Sequence, residues 1–182
     1  MAAVAGIGLG LAMGTAPRFY RSISFLVEFG RSTPVTTLYP LFVLLFGIGH
    51  WSKVAMVFAA SVFVISLNTA YGVIHSAPAR VQVLRLMGAS RTQEFRWAVF
   101  PASLPQTMIG LRVALSYSLI VIVVCEMFMG SQLGVGQRVF EAYNTYAIAD
   151  LYALVLLVGI MGYSLNAAFV RLEARLVPWV GA

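Results

Sequence analysis

The sequence predicts an all-α bundle of membrane-crossing helices, and three observations lead there. Hydrophobic residues make up 60% of the 182 residues and charged residues only 10%, far outside the soluble range. Predominantly apolar runs recur at 1–16, 34–49, 54–74, 106–129 and 149–170, giving about five membrane helices. The basic residues fall between these runs, as membrane topology requires. A net charge of +6 could suit nucleic acid, but no solvated basic stripe exists to bind it, so none is expected as a partner. The chain is read as one transmembrane domain, 1–182, with lipid around it.

Residues 1–16 are apolar but shorter than the roughly 20 residues a crossing needs. Gly6, Gly10 and Gly14 recur every fourth residue, the spacing that lets membrane helices touch backbone to backbone. Residues 17–33 carry Arg18, Arg21 and Arg31 against Glu28, with Ile23, Leu26 and Val27 between them. That pattern predicts a short interfacial helix along the inner headgroups. Residues 34–49 read as a short membrane helix with Pro40 inside it, followed by a tight turn at His50, Trp51, Ser52 and Lys53.

Residues 54–74 form the clearest span. Asn68 near its end suits a hydrogen bond to another helix and is also a candidate for lining a translocation path. Residues 106–129 return through the bilayer, with Arg112 placed to snorkel toward the inner headgroups. Glu126 lies late in that span, where an acid either lines or braces a path or reaches the outer headgroup layer. Residues 130–148 then read as an outer loop containing Gly134, Val135 and Gly136, and residues 149–170 cross back to Arg171 and Arg175. Ten basic residues fall on the inner side in this scheme, Arg18, Arg21, Arg31, Arg80, Arg85, Arg91, Arg96, Arg112, Arg171 and Arg175, against Lys53 and Arg138 outside.

The segment from 75 to 105 lacks a membrane-compatible run, and its local chemistry predicts two short helices with a sharp bend. Ser76 can cap the first and Pro78 sits in its opening turn. Gly88 offers the left-handed backbone that ends a helix, and Ser90 with Gln93 makes a capping box for the next. Pro101 and Pro105 are expected to stop it. Val81, Leu84 and Leu86 supply the first helix with apolar contacts, and Gly88, Ala89 and Ser90 form the exposed bend. From spacing alone, this is either a docking loop or an ordinary basic loop between membrane helices.

The segment resembles the loop that marks the membrane subunits of binding-protein-dependent ABC importers: Glu-Ala-Ala, three residues, Gly, and later an apolar residue and Pro. The matching positions are Gln82, Val83 and Leu84, then Gly88, then Phe100 and Pro101. Gln82 replaces the acid, and Val83 and Leu84 replace the alanines. Gly88, Ala89, Ser90 and Arg91 are similar to the nitrate, sulfonate, taurine and bicarbonate branch, as are PLFVLLFGIG and the Gly134–Gly136 turn. The resemblance implies a type I importer permease fold lacking its N-terminal part, so that Met1 resembles an internal start. It implies a coupling loop, 75–105, carrying the ATPase contacts at Gln82, Val83, Leu84, Gly88, Ala89, Ser90 and Arg91. It also implies two cytoplasmic ATPase subunits, a second permease copy, and an external solute-binding protein meeting the loop with Gly134 and Gly136. The setting implied is a bacterial inner membrane and the cargo a small anion.

Motifs for other chemistry are missing from the sequence. There is no Gly-rich loop ending in Gly-Lys-Ser/Thr, and the glycines at 6, 8 and 10 do not complete a dinucleotide fingerprint. Cys125 lies in an apolar run and His50 and His75 stand apart, so no metal set is expected. No cofactor and no catalytic residue are expected, with ATP bound by a partner. The competing reading is an ATP-independent intramembrane enzyme or structural subunit using Glu126 and Asp150.

Overall fold

A backbone immersed in hydrocarbon must satisfy its own N–H and C=O groups, so apolar runs become helices. The computed structural model describes residues 1–76, 78–129 and 134–180, and every regular element among them is helical. In chain order these are α1 (Ala2–Thr15), α2 (Pro17–Ser32), a 3₁₀ turn (Val35–Leu38), α3 (Tyr39–Phe46) and α4 (His50–Ile74). Then come α5 (Pro78–Leu86), α6 (Arg91–Glu94), a π-helical turn (Phe95–Val99), α7 (Phe100–Met129), α8 (Val135–Asn144), α9 (Ile148–Leu176) and a closing 3₁₀ turn (Pro178–Val180). Among the described residues three stretches are long and apolar enough to cross a bilayer, His50–Ile74, Arg91–Phe128 and Ile148–Leu176, while Ala2–Thr15 and Val35–Phe46 are shorter. The five apolar runs thus appear as three full-length spans and two partial ones.

Helix α4 is the hub. Gly6 of α1 faces Ile65 and the Val62 carbonyl, Gly10 faces Ser66 and Thr69, and Gly14 faces Val73. The paired positions rise together, so α1 runs parallel to α4, and the glycine stripe lets the two backbones meet. Helix α7 runs antiparallel: Ser61 and Ser118 share a hydrogen bond at 2.7 Å, and Gly110 packs on Asn68. Val35, Met56, Ala60, Val121 and Cys125 form the main apolar cluster between these elements. Helix α9 returns beside α7, tied by an ion pair from Arg112 to Glu173. Arg112 therefore does more than snorkel, because a carboxylate within the bundle offers its guanidinium a charged partner.

Four expectations are corrected. First, α2 does not lie along the headgroups. Val27 is buried with Met13 and Ala70, and Gly30 sits so close that a Cβ there would lie 2.6 Å from the Phe63 ring. These contacts draw α2 back along α4, with the 3₁₀ turn and α3 continuing the ascent. Arg31 still shares a cavity with Ile74 and His75 at the C-terminal end of α4. Second, the turn before α4 is at Gly47–Gly49, where Gly47 has φ +75°. His50, Trp51, Ser52 and Lys53 are already helical; Pro40 does lie inside the short apolar stretch Val35–Phe46, at the first turn of α3, where a missing N–H is harmless.

Third, Pro101 and Pro105 do not stop the helix after Ser90. The Phe100 N–H reaches the Phe95 carbonyl across the π turn, which shifts the bonding register by one residue just before Pro101. Pro105 is then carried inside α7, where packed neighbours can re-satisfy the freed carbonyl. Fourth, residues 135–144 of the expected outer loop are helix α8, and residues 130–133 lie outside the described residues.

Candidate functional site

Two polar constructions stand at opposite ends of the bundle. The first is the hairpin of α5 and α6. Gly88 has φ +79°, the left-handed conformation that a Cβ disfavours. It lets Ala89 N–H reach the Leu84 carbonyl at 3.0 Å and Gly88 N–H reach the Arg85 carbonyl at 3.0 Å. That is a Schellman closure. Two residues on, Gln93 N–H donates to the Ser90 hydroxyl and the Ser90 N–H donates to the Gln93 side chain at 2.7 Å. Both halves of the bend are as the sequence predicts. Ser76 is not used as a cap in this way: its hydroxyl donates to the Val73 carbonyl at 2.7 Å, finishing α4.

A contact between the two hairpin arms was not read from the sequence. Arg85 donates through Nε and Nη2 to both oxygens of Glu94, at 2.9 and 3.1 Å. Such a fork fixes the angle between the arms as well as their separation. The hydrogen bond to Glu94 pushes the Arg85 pKa above its already high value, so Arg85 stays charged at every physiological pH. A basic residue nine positions before an acid across a Gly bend was the available signal.

The side chains of the hairpin divide clearly. Val81, Leu84 and Ala89 are half-buried, whereas Gln82, Val83, Gly88, Ser90 and Arg91 are exposed. Leu86 is 89% exposed and Met87 77%, so Leu86 does not anchor α5 as expected. It projects because the Schellman turn directs the last residues of α5 away from the bundle. Behind the hairpin a cavity of about 750 Å³ separates α5 and α6 from the ends of α1 and α4, with Gln82 and Arg91 on its wall.

The second construction is at the far end. Lys53 Nζ meets Glu126 Oε1 at 3.2 Å, with the two side chains only 9% and 15% exposed. Glu126 Oε2 also accepts from Gly136 N–H at 3.1 Å. One carboxylate thereby ties α4, α7 and α8 together. Gly134 and Gly136 are part of the same packing: a Cβ at Gly136 would lie 2.1 Å from the Val123 carbonyl oxygen, and one at Gly134 would lie 2.4 Å from Glu126 Cδ. Asn68 sits apart from both ends. It accepts from Gln106 Nε2 at 3.1 Å and donates to the Val64 carbonyl at 2.8 Å, joining α4 to α7. Among the described residues no cluster of His, Cys, Asp and Glu is built to hold a metal ion.

Comparison with known proteins places these features in context. The family described as "Binding-protein-dependent transport system inner membrane component" matches residues 4–182. The chain is 29% identical to the nitrate import permease protein NrtB of Leptolyngbya laminosa, over 98% of this chain and 63% of the relative. It is 29% identical to the taurine transport system permease protein TauC of Escherichia coli K12, over 97% and 64%. The formylaminopyrimidine transport permease protein ThiX of Halalkalibacterium halodurans is 32% identical, over 97% and 70%. The chain thus spans just under two thirds of the nitrate and taurine relatives. In fold it is similar to a chain of the inward-facing MetNI methionine ABC transporter, with a TM-score of 0.75 and 19% identity over 97% of this chain and 89% of that one.

Proposed function

Because the chain belongs to the family of binding-protein-dependent transport system inner membrane components, we propose that it is the permease subunit of an ABC importer. In this reading it lies in a bacterial inner membrane beside a second permease copy and carries a small anion across. Two cytoplasmic ATPase subunits grip the α5–α6 hairpin, and an external solute-binding protein docks at the α8 end. ATP hydrolysis belongs to the partner. The ATPases favour one arrangement of paired hairpins, and the differential contacts shift the population of the bundle.

The observation that carries this reading is the hairpin tip. Val83, Leu86 and Met87 are left open to solvent on a bend whose own geometry is fully satisfied. Such a satisfied bend carrying exposed apolar side chains suits insertion into a groove. Gln82, standing where the resemblance expects an acid, leaves the Arg85–Glu94 fork as the charged element of the loop. The nitrate and taurine relatives support an oxyanion as cargo. Glu126 serves in this scheme as the brace of the outer end, and Asn68 as a spacer between two path helices.

The test is at Gly88, where an added Cβ meets nothing within 4 Å among the described residues. Gly88→Asn keeps the left-handed backbone accessible while adding bulk at the tip. Membrane insertion should be unchanged and co-purification of the ATPase should fall at least about tenfold, or about 1.4 kcal/mol. Retained ATPase binding in that variant would remove the hairpin from the docking surface. A second result is expected at the fork: Arg85→Glu uncouples ATP hydrolysis from uptake, and the swap Arg85→Glu with Glu94→Arg restores part of it. Failure of the swap to rescue any coupling would show that the fork does not set the hairpin angle.

A further inference from the structure

The course of α2 creates a feature that the permease reading leaves unused. Helix α4 has 25 residues and is about 37 Å long. Val27 packs with Ala70, Gly30 abuts Phe63 and Val35 packs with Met56 and Ala60, so α2 and its continuation ascend against α4. Glu28 and Arg31 therefore lie beside the C-terminal half of α4, sharing a cavity with Leu67, Tyr71 and His75. They form an ion pair at 2.9 Å with side chains 50% and 53% exposed.

Ionisable groups beside a membrane helix turn toward protein, a water-filled cavity or, by snorkelling, the headgroup layer, and this pair opens into a cavity that reaches the end of α4 at Ile74 and His75. The rest of this face mixes polar groups with the apolar Leu67 and Ile74. A cavity of about 580 Å³ opens here, walled by Glu28, Arg31, Asn68, Tyr71, His75 and Gln106. Asn68 and Gln106 are joined by their amides, and Tyr71 packs on His75 with ring centroids 3.9 Å apart.

Resting on the permease reading and extending it, we propose that this cavity is a transit site for a small oxyanion, received by the Arg31 guanidinium. Glu28 takes a hydrogen bond from Arg31 Nη2. A guanidinium carries five N–H donors in a planar fork, so an oxyanion can be received without first breaking the pair. Glu28 offsets the positive charge, and an exposed pair of this kind is weak and exchangeable. The combination attracts an anion and lets it go, which is what passage requires.

The experiment uses Tyr71→Cys in a Cys125→Ser background, in membranes containing the full chain. Cys125 is 1% exposed, so its removal clears the background without opening the surface. The rates of modification by anionic sulfonatoethyl methanethiosulfonate and by its cationic trimethylammonium counterpart are compared. Both reagents should react. Adding Arg31→Gln should lower the anionic-to-cationic rate ratio at least about tenfold, because Glu28 then acts alone, and Arg31→Lys should retain most of the preference.

No reaction with either reagent, or a ratio unmoved by Arg31→Gln, overturns the proposal. So does a disulfide that links two copies of the Tyr71→Cys chain on oxidation, since the face would then be sealed against its twin. If Tyr71→Cys does not accumulate, Ile74→Cys reports from the same cavity. ATPase co-purification is read separately, so loss of the permease reading and loss of this site give different results.

Discussion

Lys53→Met is expected to lower the stability of the detergent-solubilised chain by about 3–5 kcal/mol. The reason is that Glu126, only 15% exposed, is left with a charge facing the bundle and the Gly136 N–H. Removing one member of a buried pair strands the other, whereas replacing both often does little harm. The double variant Lys53→Met with Glu126→Gln should therefore recover most of the loss. Denaturant titration of the four chains of this cycle measures the coupling. A Lys53→Met chain within about 0.5 kcal/mol of the parent would mean that the pair does not hold the far end together.

The second large effect is expected at Gly10. A Cβ there would lie 2.5 Å from both the Ser66 carbonyl oxygen and Thr69 Cβ, and the backbone at Ser66 cannot yield as a flexible side chain would. Gly10→Leu should push α1 off α4 and cost about 3 kcal/mol, read as early proteolysis of α1 and a lower unfolding midpoint. Gly8 is the internal control, since its added Cβ meets nothing within 4 Å among the described residues. Gly8→Leu should leave both measurements unchanged. Equal effects at the two glycines would point to a general intolerance of bulk in α1 and remove the packing argument.

The hairpin was legible because its signals are local. Gly88, Ser90 and Gln93 act within a few residues of one another, and their caps form as the sequence dictates. The glycine stripe of α1 was legible for the same reason, being a period within one helix. What escaped depends on distant partners. Lys53 and Glu126 are separated by 73 positions, and Lys53 reads from the sequence as part of a tight outer turn. The arginines at both ends of 17–33 suggested a headgroup helix, but the close approach of Gly30 to Phe63 outweighs them. Helix α8 did carry a signal: Val135, Val139 and Tyr143 recur every fourth residue, a helical period in a stretch whose glycines suggested a loop.

The unbroken run from Arg91 to Phe128 has a mechanical side. Its 38 residues extend about 57 Å, nearly twice the roughly 30 Å hydrocarbon thickness. Pivoting such a rod about its centre by about 5° swings each tip by about 2.5 Å, simple trigonometry on that length. That travel is enough to break a hydrogen bond. In the proposed function, a displacement at Arg91 reaches the Lys53–Glu126 clasp at the opposite extremity as far as the π turn at Phe95–Val99 stays rigid.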